Sequence, residues 1–435
     1  MITRKQTTQL WILVFPVIVL LYFDLWLTIR IRYPVGISAA DLRIHYLHFS
    51  IIFFLWIVVM FTHNIFDLAS FKRYTTLVRN ILVAMSVNFL IAVVYFYVQP
   101  TLILTPRRFL LIDVALSALT ILAWNLLLKQ LLSRQATENI YLFSQEHELD
   151  ELEREIRNHA FLGLRIGGHL QTAELAQLDV SQVTSVILSD NLSADPRVIG
   201  QFFGLRQKGV LFYNHRDFYE SLTRRVYLSR LSELWFLENI HYKEGRVYNV
   251  LKLVIDLAAG VVGFLIFVAT FPIIAFMIKL GTSGPIFFTQ PRVGRKGRPF
   301  RIYKYKTMSG GPTDTWTAPN DPRITGVGRF LRKTRLDELP QVINLLRGEV
   351  SLVGPRPEQV GIAEQLRQAI PFYDERHIVK PGITGWAQLH TYAASVEETK
   401  LKLQYDLYYV KHRSILFDLE IIAKTLYYVF TWSGK

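Results

Sequence analysis

The sequence contains no cysteine. That absence removes disulfides, thiolate nucleophiles and cysteine metal sites, so any metal must be held by oxygen or imidazole. Acidic residues are the minority charge: 35 Asp and Glu stand against 49 Lys and Arg, a formal net charge of +14. Positive charge often signals nucleic acid, but no nucleic-acid-binding motif is apparent and the N-terminal third is strongly apolar. Polar composition is scarce overall. Hydrophobic residues make up 51% of the chain and the mean hydropathy is +0.24, high for a soluble protein. Basic and apolar together indicate a membrane protein that meets anionic lipids or phosphates. The 435 residues leave room for two or three domains.

Residues 1–134 hold four apolar segments, about Leu10–Leu27, Tyr46–Phe61, Ile81–Val98 and Phe109–Leu128. Each approaches the roughly 20 apolar residues of a membrane span, the second being short. Thr3-Arg4-Lys5 has the look of a signal-peptide start, but no small-residue cleavage site follows, so a retained anchor is expected. With the N-terminus inside, cytoplasmic flanks carry Arg4, Lys5, Lys72, Arg73, Arg79, Lys129 and Arg134. Outer loops carry Arg30, Arg32, Arg43, Arg107 and Arg108. The bias is slight but favours that orientation. Asp24, near the end of the first segment, is expected at the membrane interface, because buried membrane charges are rare.

Residues 135–235 change character. Asn139–Ser144, Thr184–Asp190 and Gly209–Asn214 read as strands, with helices over Glu146–Asn158 and about Pro196–Lys208. The alternation predicts a small parallel α/β domain. No G-x-G-x-x-G follows its first strand, and Gly163, Gly167 and Gly168 come too late and too irregularly for a dinucleotide loop. A packing or regulatory module is expected. Residues 222–250 interleave aromatics with Arg, Lys and His, as a connector on a membrane surface would.

Leu251–Leu280 is a further apolar run, long enough to cross a bilayer. A fifth span would carry the rest of the chain outside, away from activated nucleotide substrates. Pro272 offers another path, since a mid-helix proline kinks the helix and lets it enter one leaflet and turn back. The sequence leaves a plain span and a re-entrant hairpin both open. Asp256 and Lys252 stand near its start, placed to anchor it at the interface.

The stretch 321–357 carries the chemistry. Asp337 and Glu338 lie side by side among Arg323, Arg329, Arg332, Lys333, Arg335, Arg347 and Arg356. Acids within so many bases suit a phosphorylated, metal-bridged substrate. Asp337 precedes the helical pattern Leu339, Val342, Ile343, Leu346, and Pro340 falls in the first turn, where its missing N–H is harmless. A helix N-terminus favours an anionic side chain and a bound phosphate together. The surrounding cations are expected to keep Asp337 ionised as a nucleophile. Taken alone, Leu-Asp-Glu-Leu-Pro is more often a capped helix start than an active site. Lys304 and Lys306 share a strand face at period two, which suits a pyrophosphate and equally plain surface charge. Pro355-Arg356-Pro357 fixes an arginine between two rigid residues, a good phosphate clamp. Lys380–Gln388 is a Gly-rich turn ending near Trp386, suited to nucleotide or sugar contact. Leu401–Val410 and Ile415–Phe430 read as amphipathic interfacial helices.

From about Lys252 to Tyr428 these residues resemble the bacterial sugar transferases, the monotopic polyprenyl-phosphate sugar-1-phosphate transferases. The resemblance rests on KLVIDLAAGVVG, QPRVGRKGRPF, KYKTM, DPRITGVG, RLDELPQVINLLRGEVSLVGPRPE, KPGITGWAQ and the Asp406…Tyr409…Asp418 tail, seven blocks in order. The N-terminal segments and middle domain look like the large, initiating members. Two positions depart from the family pattern. Ser144-Gln145-Glu146 replaces glycines after the first strand, and Arg335 stands where Ser is common, which bears on substrate choice.

The resemblance implies a fold and a reaction. The fold is a four-helix transmembrane bundle over 1–134, a small Rossmann-like α/β domain over 135–235, and a monotopic catalytic domain over 236–435. That last domain would have a re-entrant helix at about 251–280, broken at Pro272, and interfacial amphipathic helices. In the reaction, Asp337 attacks the sugar-linked phosphate of a UDP-sugar, UMP leaves, and a polyprenyl (undecaprenyl) phosphate takes the phosphosugar. Glu338 ligates Mg²⁺, while Arg356 and Lys304 hold phosphate oxygens. Lys306, Arg323, Arg335, Lys380, Thr384, Gln388, Asp406 and Asp418 are further substrate-binding candidates, with Asp256, Pro340, Pro355 and Pro357 structural. The expected setting is the cytoplasmic face of a bacterial inner membrane, with no nucleic acid as partner and a homodimer as the family-level expectation. Two other readings are a phospholipid head-group synthase, which usually shows several spaced aspartates on a membrane helix, and a non-catalytic scaffold for polysaccharide assembly.

Overall fold

The computed structural model describes residues 2–63, 65–66, 74–98, 106–134, 138–144, 149–159, 163–171, 183–189, 196–229, 231–240, 245–281, 284–309, 321–391 and 395–430. The chain divides into two compact units, Met1–Arg224 and Arg225–Lys435.

The first unit opens with α1 (Ile2–Arg32), α2 (Ala39–Thr62), α3 (Tyr74–Val98) and α4 (Pro106–Arg134). Each is long and apolar enough to cross a membrane. Ser38 caps α2 by accepting from Asp41 N–H at 3.1 Å, and Pro106 opens α4 where no amide donor is needed. The helices share one buried cluster that includes Leu21, Leu25, Phe49, Phe53, Trp56, Ile81 and Ile121. Their outward sides expose Phe15, Val19, Phe54, Leu90, Val94 and Leu119, as lipid-facing surfaces do. Asp24 departs from the sequence expectation. It is 0% exposed rather than facing outward, because its α1 stripe turns toward α4, where Thr120 Oγ1 donates to its Oδ2 at 2.7 Å.

β1 (Glu138–Phe143), α5 (Asp150–Asn158), β2 (Leu164–Leu170), β3 (Ser185–Leu188), α6 (Pro196–Gln207), β4 (Leu211–Asn214) and α7 (His215–Thr223) complete the unit. The four strands are parallel in the order β2-β1-β3-β4. β2 was not foreseen, since its Arg, Gly-Gly and His weaken the strand pattern. Its glycines serve packing. The register jumps between Ile140 and Tyr141, and a Cβ on Gly167 would stand 2.5 Å from the Tyr141 ring. Residues 146–148 and 190, which the sequence reading placed in a helix and a strand, lie outside the described residues.

The second unit begins at Arg225, ahead of the boundary expected at 235. Part of the connector enters the core, while its Leu234, Leu237 and Val247 are exposed. Val226, Trp235, Phe236 and Ile240, the last three on or beside α8 (Glu233–Asn239), are buried with Leu403 and Leu407, and Val226 N–H donates to Gln404 O at 3.1 Å. α9 (Arg246–Gly281) is one helix of 36 residues, continuous through Pro272. One stripe of it meets the rest of the unit over its whole length. Lys252 Nζ donates to Val353 O at 3.0 Å and reaches Asp418 Oδ2 at 2.8 Å. Asp256 Oδ1 accepts from Ser351 Oγ at 3.0 Å and Leu352 N–H at 2.8 Å. Phe267, Ile274 and Ile278 are buried against Tyr305 and Leu331. Thus Lys252 and Asp256 tie the helix to this unit rather than to an interface. The other sides of α9 expose Val250, Val254, Leu257, Val261, Leu265, Ile273 and Phe276.

β5 (Phe287–Val293) and β6 (Pro299–Tyr305) form an antiparallel hairpin, followed by α10 (Gly326–Lys333), α11 (Val342–Leu346), β7 (Ser351–Val353), α12 (Val360–Ala369), β8 (Gly382–Thr384), α13 (Val396–His412) and α14 (Ile415–Phe430). Gly382 lets β8 cross Gly354 at a distance where a Cβ would meet the Gly354 amide nitrogen at 2.1 Å. α13 is a core helix rather than an interfacial one. Its Leu403, Leu407, Tyr408, Tyr409 and Val410 are buried, and its Lys402 and Asp406 are buried because they are ion-paired. α14 keeps the expected two-sided pattern, with Phe417 and Ile421 buried and Leu416, Leu419 and Leu426 exposed.

Candidate active site

α10 ends at Thr334, and Arg335 takes a left-handed conformation, φ 59°. The chain then makes a single 3-10 turn over Leu336–Gln341 that carries Asp337, Glu338 and Pro340, and α11 follows directly. Asp337 is therefore a first-turn residue. Asn344 holds β6 against this turn. It accepts from Tyr303 N–H at 3.1 Å and donates to Arg301 O at 2.7 Å and Glu349 Oε2 at 2.6 Å. That registration brings Lys304 over Glu338.

Lys304 Nζ and Arg356 Nη2 both donate to Glu338 Oε1, each at 2.7 Å. Such charge-assisted bonds are the strong ones. Burial alone would raise the Glu338 pKa, but Arg356 and Lys304 together hold it well below the carboxylate range. Burial lowers the Lys304 pKa, with Glu338 opposing it and Arg356 adding to it. Asp337 differs from its neighbour. It is 9% exposed and its Oδ1 accepts no hydrogen bond. Burial and the adjacent Glu338 charge push its pKa up, against the pull of Lys304, Arg332 and Arg356. The cations that were expected to favour the ionised form of Asp337 are thus opposed by desolvation and like charge, which set the net direction of its shift.

Of the cationic field read in 321–357, only Arg356 bonds directly to the dyad among the described residues. Arg323 closes on Asp321, Nη2 to Oδ2 at 2.7 Å and Nε to Oδ1 at 3.0 Å. Arg332 Nε donates to Thr307 Oγ1 at 2.9 Å, and Arg347 Nη1 to Tyr303 OH at 3.0 Å. Arg335, Arg329 and Lys333 are exposed. Lys306 lies one residue beyond β6 with its ammonium beside Gly284, and the half-buried Lys380 faces Gly348.

Other candidates turn inward. Thr384 Oγ1 lies 2.6 Å from Thr425 Oγ1 on α14. Gln388 Nε2 donates to Ile383 O at 3.2 Å. Trp386 is 1% exposed, packed on Phe417 and His390, so its ring has no face left for a sugar or base. Asp406 pairs with Arg376 at 2.7 Å. Asp418 accepts from Lys252 and, at 2.8 Å, from Tyr409 OH. These buried pairs place Asp406 and Asp418 in the scaffold rather than on substrate.

Sequence reasoning passed over the residues that fix Arg356. Arg376 Nη2 donates to Arg356 O at 2.9 Å, and Arg292 Nη1 to Pro357 O at 3.1 Å. Glu358, next to Pro357, is ion-paired to Lys402 and has Arg376 Nη1 at 4.0 Å. Pro355 and Pro357 stiffen the same segment. The only advance sign was polar residues inside otherwise apolar helical patterns, as at Asn344.

Residues 247–432 match the family described as bacterial sugar transferase. The uncharacterised sugar transferase EpsL of Bacillus subtilis (strain 168) is 40% identical over 193 residues, 42% of this chain and 90% of that protein. The chain belongs to the bacterial sugar transferase family. Among other relatives, the UDP-N-acetylgalactosamine-undecaprenyl-phosphate N-acetylgalactosaminephosphotransferase of Aeromonas hydrophila is 39% identical over 226 residues, 51% of this chain and 53% of that protein. The UDP-glucose:undecaprenyl-phosphate glucose-1-phosphate transferase of Escherichia coli (strain K12) is 41% identical over 187 residues, 42% of this chain and 40% of the relative. The matches thus span about half the length of these two relatives. The dyad, Lys304 and Arg356 all fall within the bacterial sugar transferase region.

Proposed function

We propose that the protein transfers a sugar-1-phosphate from a UDP-sugar to polyprenyl phosphate, releasing UMP. The observation that carries this reading is the pair of half-buried cations, Lys304 and Arg356, meeting on Glu338 beside an Asp337 oxygen that has no partner. The relatives' names give the same donor and acceptor classes.

Asp337 Oδ attacks the sugar-linked phosphorus. The bond from that phosphorus to the bridging oxygen breaks, and UMP leaves with the electron pair. An acyl phosphate ester of the sugar remains on the aspartate. A phosphate oxygen of the polyprenyl phosphate then attacks the same phosphorus, the Asp337 carboxylate is restored, and a polyprenyl-diphosphate sugar departs. Lys304 and Arg356 move from Glu338 to the diphosphate oxygens and stabilise the charge that spreads over them. Mg²⁺ fits the residues present. Among the described residues no three acids or imidazoles cluster, but Mg²⁺ takes one or two carboxylates and fills its octahedron with waters and substrate phosphates. Glu338 and the open Asp337 oxygen supply those two. When bound, the ion would neutralise diphosphate charge and ease departure of UMP.

In the same proposal α1–α4 form a bundle in the bacterial inner membrane, and the site faces the cytoplasm, where nucleotide sugars are. α9 dips into one leaflet with Pro272 as its bend. Both ends of α9 are held by the same unit, Lys252 at Val353 and Lys279 at Gly284, while its other sides expose apolar residues. That arrangement suits a segment that enters and leaves one side.

The test is UMP release by the full-length protein across a panel of UDP-sugars with polyprenyl phosphate. Asp337→Asn should lose at least about a thousandfold in rate while keeping its fold. Without acceptor, the wild-type chain should gain the mass of one sugar phosphate. Wild-type-like release by Asp337→Asn would overturn the nucleophile assignment.

A further inference from the structure

α1 carries Asp24 and Thr28 four residues apart. α4 carries Asp113, Ser117 and Thr120 at spacings of four and three. Each set lies on one helical stripe, and the two stripes face each other. Thr120 Oγ1 donates to Asp24 Oδ2 at 2.7 Å, and Thr28 Oγ1 lies 3.5 Å from Asp113 Oδ1. Asp24, Thr28, Asp113 and Ser117 are each 0% exposed. Neither carboxylate has an ion-pair partner among the described residues. Two carboxylate oxygens in this group have no hydrogen-bond partner, Asp24 Oδ1 and Asp113 Oδ2, and the Ser117 hydroxyl is turned toward Asp24. Ser117 sits between Asp113 and Thr120 on the stripe, so its hydroxyl is aimed into the same space.

Two ionised carboxylates fully removed from water without positive charge would each carry a large desolvation cost, and their mutual repulsion adds to that. Acids inside a membrane-spanning segment mark a functional site by default. All five side chains offer oxygen, and none offers nitrogen or sulfur, so the group selects hard cations. Two carboxylates balance two positive charges.

We propose that Asp24, Asp113, Thr28, Ser117 and Thr120 form a site for a divalent, oxygen-seeking cation of the Ca²⁺ or Mg²⁺ class, set between α1 and α4. The ion clasps the two helices together. Removing it leaves two repelling anions at their contact, so the helices' stability depends on divalent cation even when no substrate is present.

The experiment uses the full-length protein carrying Asp337→Asn and Glu338→Gln, so that metal at the dyad makes no contribution. It is purified in detergent after EDTA treatment and titrated with CaCl₂ and, separately, MgCl₂. The expected result is saturable binding of one ion per chain with a rise in thermal unfolding temperature, reversed by EDTA. Adding Asp113→Asn or Asp24→Asn should abolish both binding and shift, and the milder Ser117→Ala should weaken binding several-fold. Both Asp→Asn changes remove charge without removing volume, and circular dichroism at 222 nm checks that helix is kept. If neither ion binds, or if the variants bind and shift as their parent does, the proposal is overturned and the two acids are simply protonated.

Discussion

Arg376 Nη2 donates to the backbone carbonyl of Arg356 at 2.9 Å and meets Asp406 Oδ2 at 2.7 Å. The arginine that touches Glu338 is thus aimed by a second, fully buried arginine behind it. Removing Arg376 strands Asp406 and weakens the hold on Glu358. Arg376→Met should cost about 3–5 kcal/mol of stability, the usual result of breaking a buried pair on one side. The double variant Arg376→Met/Asp406→Leu should recover much of the loss in thermal unfolding, which a double-mutant cycle would quantify. UMP release should remain depressed in both, because neither restores the bond to Arg356.

Asp337→Asn should raise stability while it removes activity. Burial and the Glu338 charge raise the folded-state pKa of Asp337 above its unfolded value. Below the unfolded value both states are protonated and the residue costs nothing. As pH rises through the folded value, the wild-type protein must hold an ionised carboxylate that the unfolded chain would hold more easily. The unfolding temperature of Asp337→Asn should therefore exceed wild type at pH 8, and the gap should close as pH falls below about 4. A gap of the opposite sign at pH 8 would contradict the electrostatic reading.

Glu358 behaves the other way. Burial opposes its ionisation, but Lys402 and Arg376 outweigh burial and bring its pKa down from 4.5 to about 2. Its contribution is present above pH 4.5 and lost as pH falls toward 2. The shift corresponds to a stability on the order of 3 kcal/mol. Wild type should lose unfolding temperature across that window more steeply than Glu358→Gln.

Two glycines of α9 should differ in tolerance. A Cβ on Gly263 would stand 2.7 Å from Val342 Cγ1, on a stiff β-branched side chain. A Cβ on Gly260 would meet Leu346 Cδ2, the far end of a flexible one, also at 2.7 Å. Gly263→Ala should cost about 1–3 kcal/mol, Gly260→Ala less, as read from thermal unfolding. Val342 directly follows the turn that carries the dyad, so Gly263→Ala should also lower the rate of UMP release.

Parts of this were legible in advance for physical reasons. Long apolar runs and alternating strands declare themselves by period, so α1–α4 and three of the four parallel strands were placed to within several residues. The Leu-Asp-Glu-Leu-Pro turn was readable because proline and acids mark a helix start. Long-range pairing was not readable. Nothing local distinguishes Lys304, which meets Glu338, from Lys306, which does not. Nothing in Asp406 or Asp418 reveals that Arg376 and Lys252 will close over them. Trp386 and the glycines of Lys380–Gln388 looked like a ligand turn, because a close crossing of two backbones requires the same residues as a close approach to a ligand.

The clasp on Glu338 has one more consequence. With both cations on a single carboxylate oxygen, the glutamate would, in the proposed reaction, compete with the donor's phosphates for the same two cations. A ligand must offer enough negative charge to draw Lys304 and Arg356 away together. A bare nucleoside or a neutral sugar should leave the clasp shut, and a nucleotide with one phosphate should open it less readily than one with two.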